Sequence, residues 1–301
     1  MKKNNSPAGV WFVLMAAVLW GTTGTSQAFA PAGFDPMVIG TLRLVIGGGA
    51  MMLLLLAQSG TSQLKGWPLK TTVAAAVFMA LYQVCFFAGV AKTGVAVGTI
   101  VGIGSAPVAG GIFGYFFRGE RPGRTWFIAT LLAIIGCVVL TLSSGGDVKI
   151  DLLGVALAIG AGIAYAAITL VMKGLLEQHE PNAVIAVVFC LGALILSPLL
   201  IGREMAWLVA PRSIAVVLHL GLVATALAYW LFTRGLQRIQ VSTAVTLSLA
   251  EPLTAGLLGL LLLGEQLNPL SFVGISLIFS GLAVLALGGR AAPEVSAEFE
   301  G

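Results

Sequence analysis

GIGSAPVAGGIFGYFFRGE at residues 102–120 returns, 145 positions later, as LSLAEPLTAGLLGLLLLGE at residues 247–265. Pro107 aligns with Pro252, Gly111 with Gly256, Gly114 with Gly259, and Gly119-Glu120 with Gly264-Glu265. The same offset extends outward in both directions. Gly9 aligns with Gly154, Trp20 with Tyr165, Pro36 with Pro181 and Gly136 with Gly281, with a one-residue slip near Lys92 and Arg238. The chain is therefore read as two tandem copies of one unit. Each copy is strongly apolar and holds an odd number of membrane spans, so the second copy must lie upside down relative to the first. Inverted repeats build many secondary transporters, with the substrate site at the repeat interface.

Composition supports the membrane reading. The chain is 58% hydrophobic and only 9% charged, with a mean hydropathy of +1.02, whereas a soluble domain carries about 25% charged residues. Its 39 glycines suit helices packed closely in lipid. The net charge of +4 could suggest nucleic acid, but the basic residues fall in short links between apolar runs and read as topology determinants. No nucleic-acid partner is expected. Cys85, Cys137 and Cys190 lie inside apolar runs without CxxC or metal-ligand spacing, so no metal and no cofactor is expected.

Ten apolar segments approach the roughly 20 residues that a helix needs to cross the hydrocarbon core. They fall at 8–29, 37–57, 70–91, 95–117, 124–143, 152–175, 182–201, 213–234, 241–263 and 269–288. All ten must be helical, because lipid offers the backbone no partners. Breakers and caps mark the links: Ala-Pro-Ala-Gly at 30–33, Asp35-Pro36, Ser-Ser-Gly-Gly-Asp at 143–147, Glu180-Pro181 and Asn268-Pro269. The fold class is an all-α membrane protein with ten transmembrane helices in two inverted five-helix repeats. The first repeat covers residues 1–147, the second 148–290, and residues 291–301 form a disordered cytoplasmic tail. With the N-terminus inside, Lys2, Lys3, Lys65, Lys70, Arg118, Arg121, Arg124, Lys173, Arg234, Arg238 and Arg290 all lie on or near the inner side, which favours N-in and C-in. Lys2-Lys3, an apolar run and Ala28-Phe29-Ala30 imitate a signal peptide. The sixth span is the counterpart of this segment, so it is expected to be retained.

Ten helices in two five-helix halves resemble the drug/metabolite transporter superfamily, in particular its EamA-type exporter branch. The residues that carry the resemblance are Leu19-Trp20-Gly21-Thr22, Leu42-Arg43, Ser105-Ala106-Pro107, Gly119-Glu120, Ala250-Glu251-Pro252-Leu253 and Leu263-Gly264-Glu265. It extends from about residue 8 to residue 288. The resemblance implies export of small metabolites, often amino acids, through a central cavity by alternating access, and it is nearest to bacterial exporters of aromatic and other neutral amino acids. The chain departs from the pattern at Ala106, where the second half has Glu251. Any role for that carboxylate is therefore asymmetric.

A transporter site lies near the bilayer midplane and is lined by polar or aromatic groups that lipid-facing surfaces would not keep. The candidates for substrate binding are Trp20, Tyr82, Gln83, Phe86, Tyr165, Tyr229 and Ser248. Trp20 and Tyr165 weigh most, because the repeat puts them in equivalent places, where two aromatics across a pseudo-two-fold axis would suit aromatic or branched side chains. Interfacial belts also use Trp and Tyr. That reading is at least equal for Tyr229 and Trp230 and better for Trp11, Trp67 and Trp207. Gln83 serves either a substrate or an interhelical hydrogen bond. Glu251 is a proton-coupling acid or a structural acid bonded to the carbonyl that Pro252 frees, with the second slightly preferred. His219 is a second coupling candidate against a packing role. Arg43 snorkels outward or pairs with a substrate carboxylate or Asp35, and the resemblance implies a structural role for it. Pro107 and Pro252, among glycines, are candidate hinges.

The leading function is export of neutral, aromatic or hydrophobic amino acids by a monomeric inner-membrane protein. The alternative is export of cationic hydrophobic drugs, which an aromatic cavity with one buried carboxylate also suits. Enzymatic chemistry lacks any phosphate loop, paired carboxylates or His/Asp cluster, and an ATP-driven mechanism lacks GxxxxGK[ST].

Overall fold

The computed structural model describes residues 6–31, 33–143, 151–264 and 268–288. Expectations placed on Lys2, Lys3, residues 144–147, Lys149, Glu265, Arg290 and the tail 291–301 lie outside the described residues. Ten helices are long and apolar enough to cross a membrane: α1 Pro7–Ala28, α2 Pro36–Ser59, α3 Leu69–Gly94, α4 Val97–Arg118, α5 Arg124–Ser143, α6 Leu152–Leu175, α7 Pro181–Leu200, α8 Pro211–Leu236, α9 Val241–Leu262 and α10 Pro269–Leu287. Five of them begin at proline, whose missing N–H is no loss in the first turn. The side chains of Asp35 and Asp151 accept hydrogen bonds from Met37 N and Gly154 N, capping α2 and α6 at 2.8 and 2.7 Å.

Three interruptions mark the helices, and only the first falls where the hydropathy left a link, at residues 92–94. α3 and α4 are joined through a single residue with non-helical dihedrals, Gly94 at φ 79° and ψ 165°, a conformation that glycine adopts without a Cβ penalty. The stretch His219–Leu227 of α8 is wound as a π-helix. α9 breaks within its span, between Val241–Leu247 and Ala250–Leu262. Pro252 follows that break. It has no N–H for Ser248 O, and the amide of Glu251 takes that carbonyl instead at 2.9 Å. Pro107 behaves differently, since α4 keeps helical dihedrals through it.

The helix contacts demonstrate the inversion. α2 and α7 are repeat counterparts, and so are α5 and α10. A Cβ on Gly48 of α2 would touch Phe189 and Cys190 of α7, and Asn182 at the start of α7 bonds Gln58 at the end of α2. These two helices are antiparallel. Likewise Gly136 abuts Gly274 and Ile278, whereas Gly281 abuts Ala129 and Ala133, so α5 and α10 are antiparallel. Equivalent elements that run in opposite directions where they meet belong to inverted halves. The remaining contacts also map onto each other: α1 packs on α8 and α9, and α6 packs on α3 and α4. Gly9 meets Arg238 and Ile239, and Gly154 meets Lys92 and Thr93. The one-residue slip of the repeat is thus real in space.

Buried charges tie the helices together at one end of the bundle. Gly119 and Gly264, at φ 63° and 67°, turn the chain after α4 and α9. The turn at Gly119 sends Glu120 into the protein, where its carboxylate accepts from Val241 N at 2.6 Å, Ser242 N at 3.0 Å and Ser242 Oγ at 2.8 Å. These are the free amides at the start of α9, where a negative charge is favoured. From the other side, buried Lys173 of α6 donates to the carbonyls of Leu236 and Ile239 at the end of α8. The α8–α9 turn is therefore held by an anion at its donor end and a cation at its acceptor end. Arg118 and Glu177 form an ion pair nearby.

Candidate functional site

A cavity of about 40 Å³ lies between α3, α4, α6 and α9, walled by Tyr82, Phe86, Tyr165, Ser248 and Glu251 together with small residues such as Gly102, Ala106 and Gly162. That is well below the usual range for small-molecule sites, about 300–1,000 Å³, so the space as it stands holds little more than water and its walls must separate to admit a larger molecule. Both halves contribute walls, so it stands at the repeat interface. The small residues have a local cause: a Cβ on Gly162 of α6 would strike Ser105, Gly102 O and Ala106 N of α4, so the two helices cross in close contact. A larger groove, about 450 Å³, runs between α4 and α5, but its walls are apolar and its rim residues, Phe116 and Phe127 among them, are exposed on the outer surface.

The aromatic residues form one continuous chain. Phe86 lies 6.0 Å from Tyr82, Tyr82 lies 5.8 Å from Tyr165, and Tyr165 lies 6.2 Å from Trp20 at an interplanar angle of 87°. Trp20 then contacts Tyr229 at 5.0 Å and Phe232 at 5.2 Å, and Tyr229 meets Phe189 at 4.6 Å. The equivalent pair Trp20 and Tyr165 do meet, edge to face. Only Tyr165 reaches the cavity wall, whereas Trp20 is buried behind it with its Nε1 unpartnered. Tyr229 is likewise buried, so the belt reading fails for it; the neighbouring Trp230 carries Arg234 over its ring at 3.7 Å. Ser248 Oγ donates to Ala244 O at 3.1 Å, which leaves it to accept from Tyr165 OH at 2.6 Å. That bond ties α6 to the break in α9.

Polar candidates separate into bonded and unbonded groups. Gln83 donates to Gly40 O of α2 at 3.0 Å and does not line the cavity, which fits the interhelical role. His219 Nε2 lies 2.9 Å from Thr22 Oγ1. The Thr22 hydroxyl is directed at Leu19 O, so the histidine nitrogen is the donor of that pair. Asp35 pairs with Arg203 at 2.8 Å, which removes it as a partner for Arg43. Glu251 makes no side-chain hydrogen bond among the described residues. The structural bond expected of it is absent because its own amide already satisfies the carbonyl that Pro252 frees. Outside the spans, His179 stacks on Trp67 with centroids 4.0 Å apart, and burial holds its imidazole below its ordinary pKa.

Sequence reading missed Glu120 and Lys173 as buried charges. A signal existed for Glu120, the repeated Gly-Glu after an apolar helix, but its partners lie 121 and 122 residues away. Lys173 sits inside the sixth apolar run, two residues from its end.

The EamA-like transporter family matches this chain twice, at residues 7–142 and again at 152–287. The chain belongs to that family. Both EamA matches span nearly a whole half of the bundle. The chain is 46% identical to an uncharacterized transporter, YwfM, of Bacillus subtilis (strain 168), over 93% of this chain and 94% of that one. It is 34% identical to the threonine/homoserine exporter RhtA of Escherichia coli (strain K12), over 54% of this chain and 55% of that one. A solved crystal structure superposes with a TM-score of 0.81 at 20% identity, covering 94% and 97% of the two chains, and shows the same fold. This EamA protein is a multi-pass membrane transporter, in keeping with the bacterial inner membrane of its relatives.

Proposed function

We propose that the protein exports small metabolites, in particular aromatic and other neutral hydrophobic amino acids, by alternating access through the cavity between its halves. The observation that carries this reading is the lining itself: Tyr82, Phe86 and Tyr165 face one space with a single carboxylate, Glu251. Such walls accept a flat apolar side chain and one polar head. The relation to a threonine/homoserine exporter supports an amino acid substrate. The chain acts as a monomer with both termini in the cytoplasm, and carries no enzymatic activity. Pro107, Pro252 and the break in α9 serve as hinges, and Glu251 and His219 are the groups available for proton coupling. The second reading, export of cationic hydrophobic drugs, draws on the same Glu251 among aromatic rings.

The test is uptake into proteoliposomes of labelled aromatic, aliphatic and charged amino acids and a quaternary-ammonium drug, with and without a proton gradient. Saturable uptake of aromatic and aliphatic amino acids is expected. Saturable uptake of the drug without the amino acids would put the second reading first.

A further inference from the structure

Two opposite charges stand inside the bundle, and neither has an ion-pair partner among the described residues. Glu251 projects into the cavity wall without a hydrogen-bond partner among the described residues. Arg43 is seven residues past the start of α2 and comes from the other half. Its neighbours on the same helical face are Gly40, which abuts Phe87 and Gln83 of α3, and Gly47, which abuts Gly221 and Thr225 of α8. Arg43 is thus aimed between α3 and α8, into the bundle, rather than out to lipid. Its Nε is buried with no partner, and no hydrogen bond to a described residue satisfies its terminal nitrogens. Arg43 does not line the cavity as it stands, but Gly40, one turn before it, abuts Gln83, the residue beside Tyr82 of the cavity wall. An unpaired guanidinium and an unpaired carboxylate are each costly at this depth. A stable fold would gain by pairing them with each other or replacing them, yet no ion pair joins them among the described residues.

We infer that Arg43 and Glu251 are the two poles of a zwitterion site, Arg43 taking the α-carboxylate of an amino acid and Glu251 its α-ammonium, while Tyr82, Phe86 and Tyr165 receive the side chain. This rests on the proposed amino acid export and names the groups that select its substrate. Guanidinium suits a carboxylate because its planar fork matches both oxygens. A ligand that carries both charges satisfies both residues at once. A monovalent ligand leaves one of them buried and unpaired, and a site of that kind rejects such ligands strongly. The arrangement thus distinguishes an amino acid from the amine or the acid with the same ring.

Three ligands with one ring isolate the charges: phenylalanine, 2-phenylethylamine and 3-phenylpropanoate, as competitors of labelled phenylalanine uptake in proteoliposomes. The unmodified protein is expected to prefer phenylalanine over both by at least about tenfold. Arg43→Gln should weaken phenylalanine about tenfold or more and leave 2-phenylethylamine unchanged or improved. Glu251→Gln should do the reverse for 3-phenylpropanoate, and Arg43→Lys should restore part of the phenylalanine preference. Equal competition by 2-phenylethylamine in the unmodified protein overturns the zwitterion site whatever the variants do. So does an equal loss of all three ligands in Arg43→Gln protein that elutes as a monodisperse peak. If aliphatic amino acids are transported but phenylalanine is not, the aromatic reading fails; the same test run on leucine, isopentylamine and 4-methylpentanoate then decides the zwitterion site.

Discussion

At the scale of single residues, Tyr165 does two things that substitution can separate. Its ring walls the cavity and touches Trp20 and Tyr82, and its hydroxyl donates to Ser248 at the break in α9. Tyr165→Phe keeps the ring and removes one hydrogen bond, about 1 kcal/mol. Less than about a tenfold change in the KM for phenylalanine is expected. Tyr165→Ala removes the wall itself, and the loss should be several times larger, because truncating a buried aromatic costs about 3–5 kcal/mol. Equal effects of the two substitutions in a concentration series of uptake would mean that the hydroxyl, not the ring, is what matters. Trp20 was the residue that stood out in the sequence beside Tyr165, and the two are in contact. What the sequence could not convey is depth. Equivalent positions in two inverted copies need not face the same space, and here one ring lines the cavity while the other supports it from behind. Arg43 is a similar case. Its place in an apolar run was plain, but its direction follows from Gly40 and Gly47, which matter only once α3 and α8 are known to lie against them.

Among the elements, the α8–α9 turn is the one built from long-range charge. Glu120 reaches the free amides at the start of α9, and Lys173 reaches the carbonyls at the end of α8. Glu120→Gln puts an NH₂ group where two oxygens now accept, so at least one donor at the start of α9 faces another donor. A loss of about 1–3 kcal/mol follows, seen as a drop of several degrees in the thermal midpoint of the purified protein in detergent. An unchanged midpoint would remove the clasp from this account. Hydropathy located every helix within about three residues, because twenty apolar residues in lipid have one solution. It left a link at 92–94, where Gly94 breaks the helix, but it did not locate the π-helical stretch of α8 or the interruption before Glu251. Those two are set by packing between helices and by one missing N–H, neither of which changes the apolar pattern.

On the scale of the whole molecule, two inverted halves meet through counterpart helices and enclose a cavity that both of them line. The inversion was legible because matching glycines and prolines recur at a constant offset, and one such pair lies at a contact between counterpart helices: Gly136 with Gly274 and Ile278, Gly281 with Ala129 and Ala133. The site was half legible. Tyr82, Phe86, Tyr165, Ser248 and Glu251 do converge on one cavity, whereas Gln83 and His219 are engaged in bonds between helices. Periodicity identifies the segments, but it says nothing about which helices of the two halves adjoin, and that choice decides which polar residues share a space. The central claim is that this shared space is where the substrate sits. Ile103 lines it and is only half-buried, so Ile103→Cys, in protein whose Cys85, Cys137 and Cys190 are replaced by alanine, reports on its occupancy. The rate of labelling by a small water-soluble thiol reagent should fall as phenylalanine is added, with a midpoint equal to the KM for uptake. A labelling rate indifferent to phenylalanine, in protein that still transports it, would place the substrate elsewhere and contradict the account.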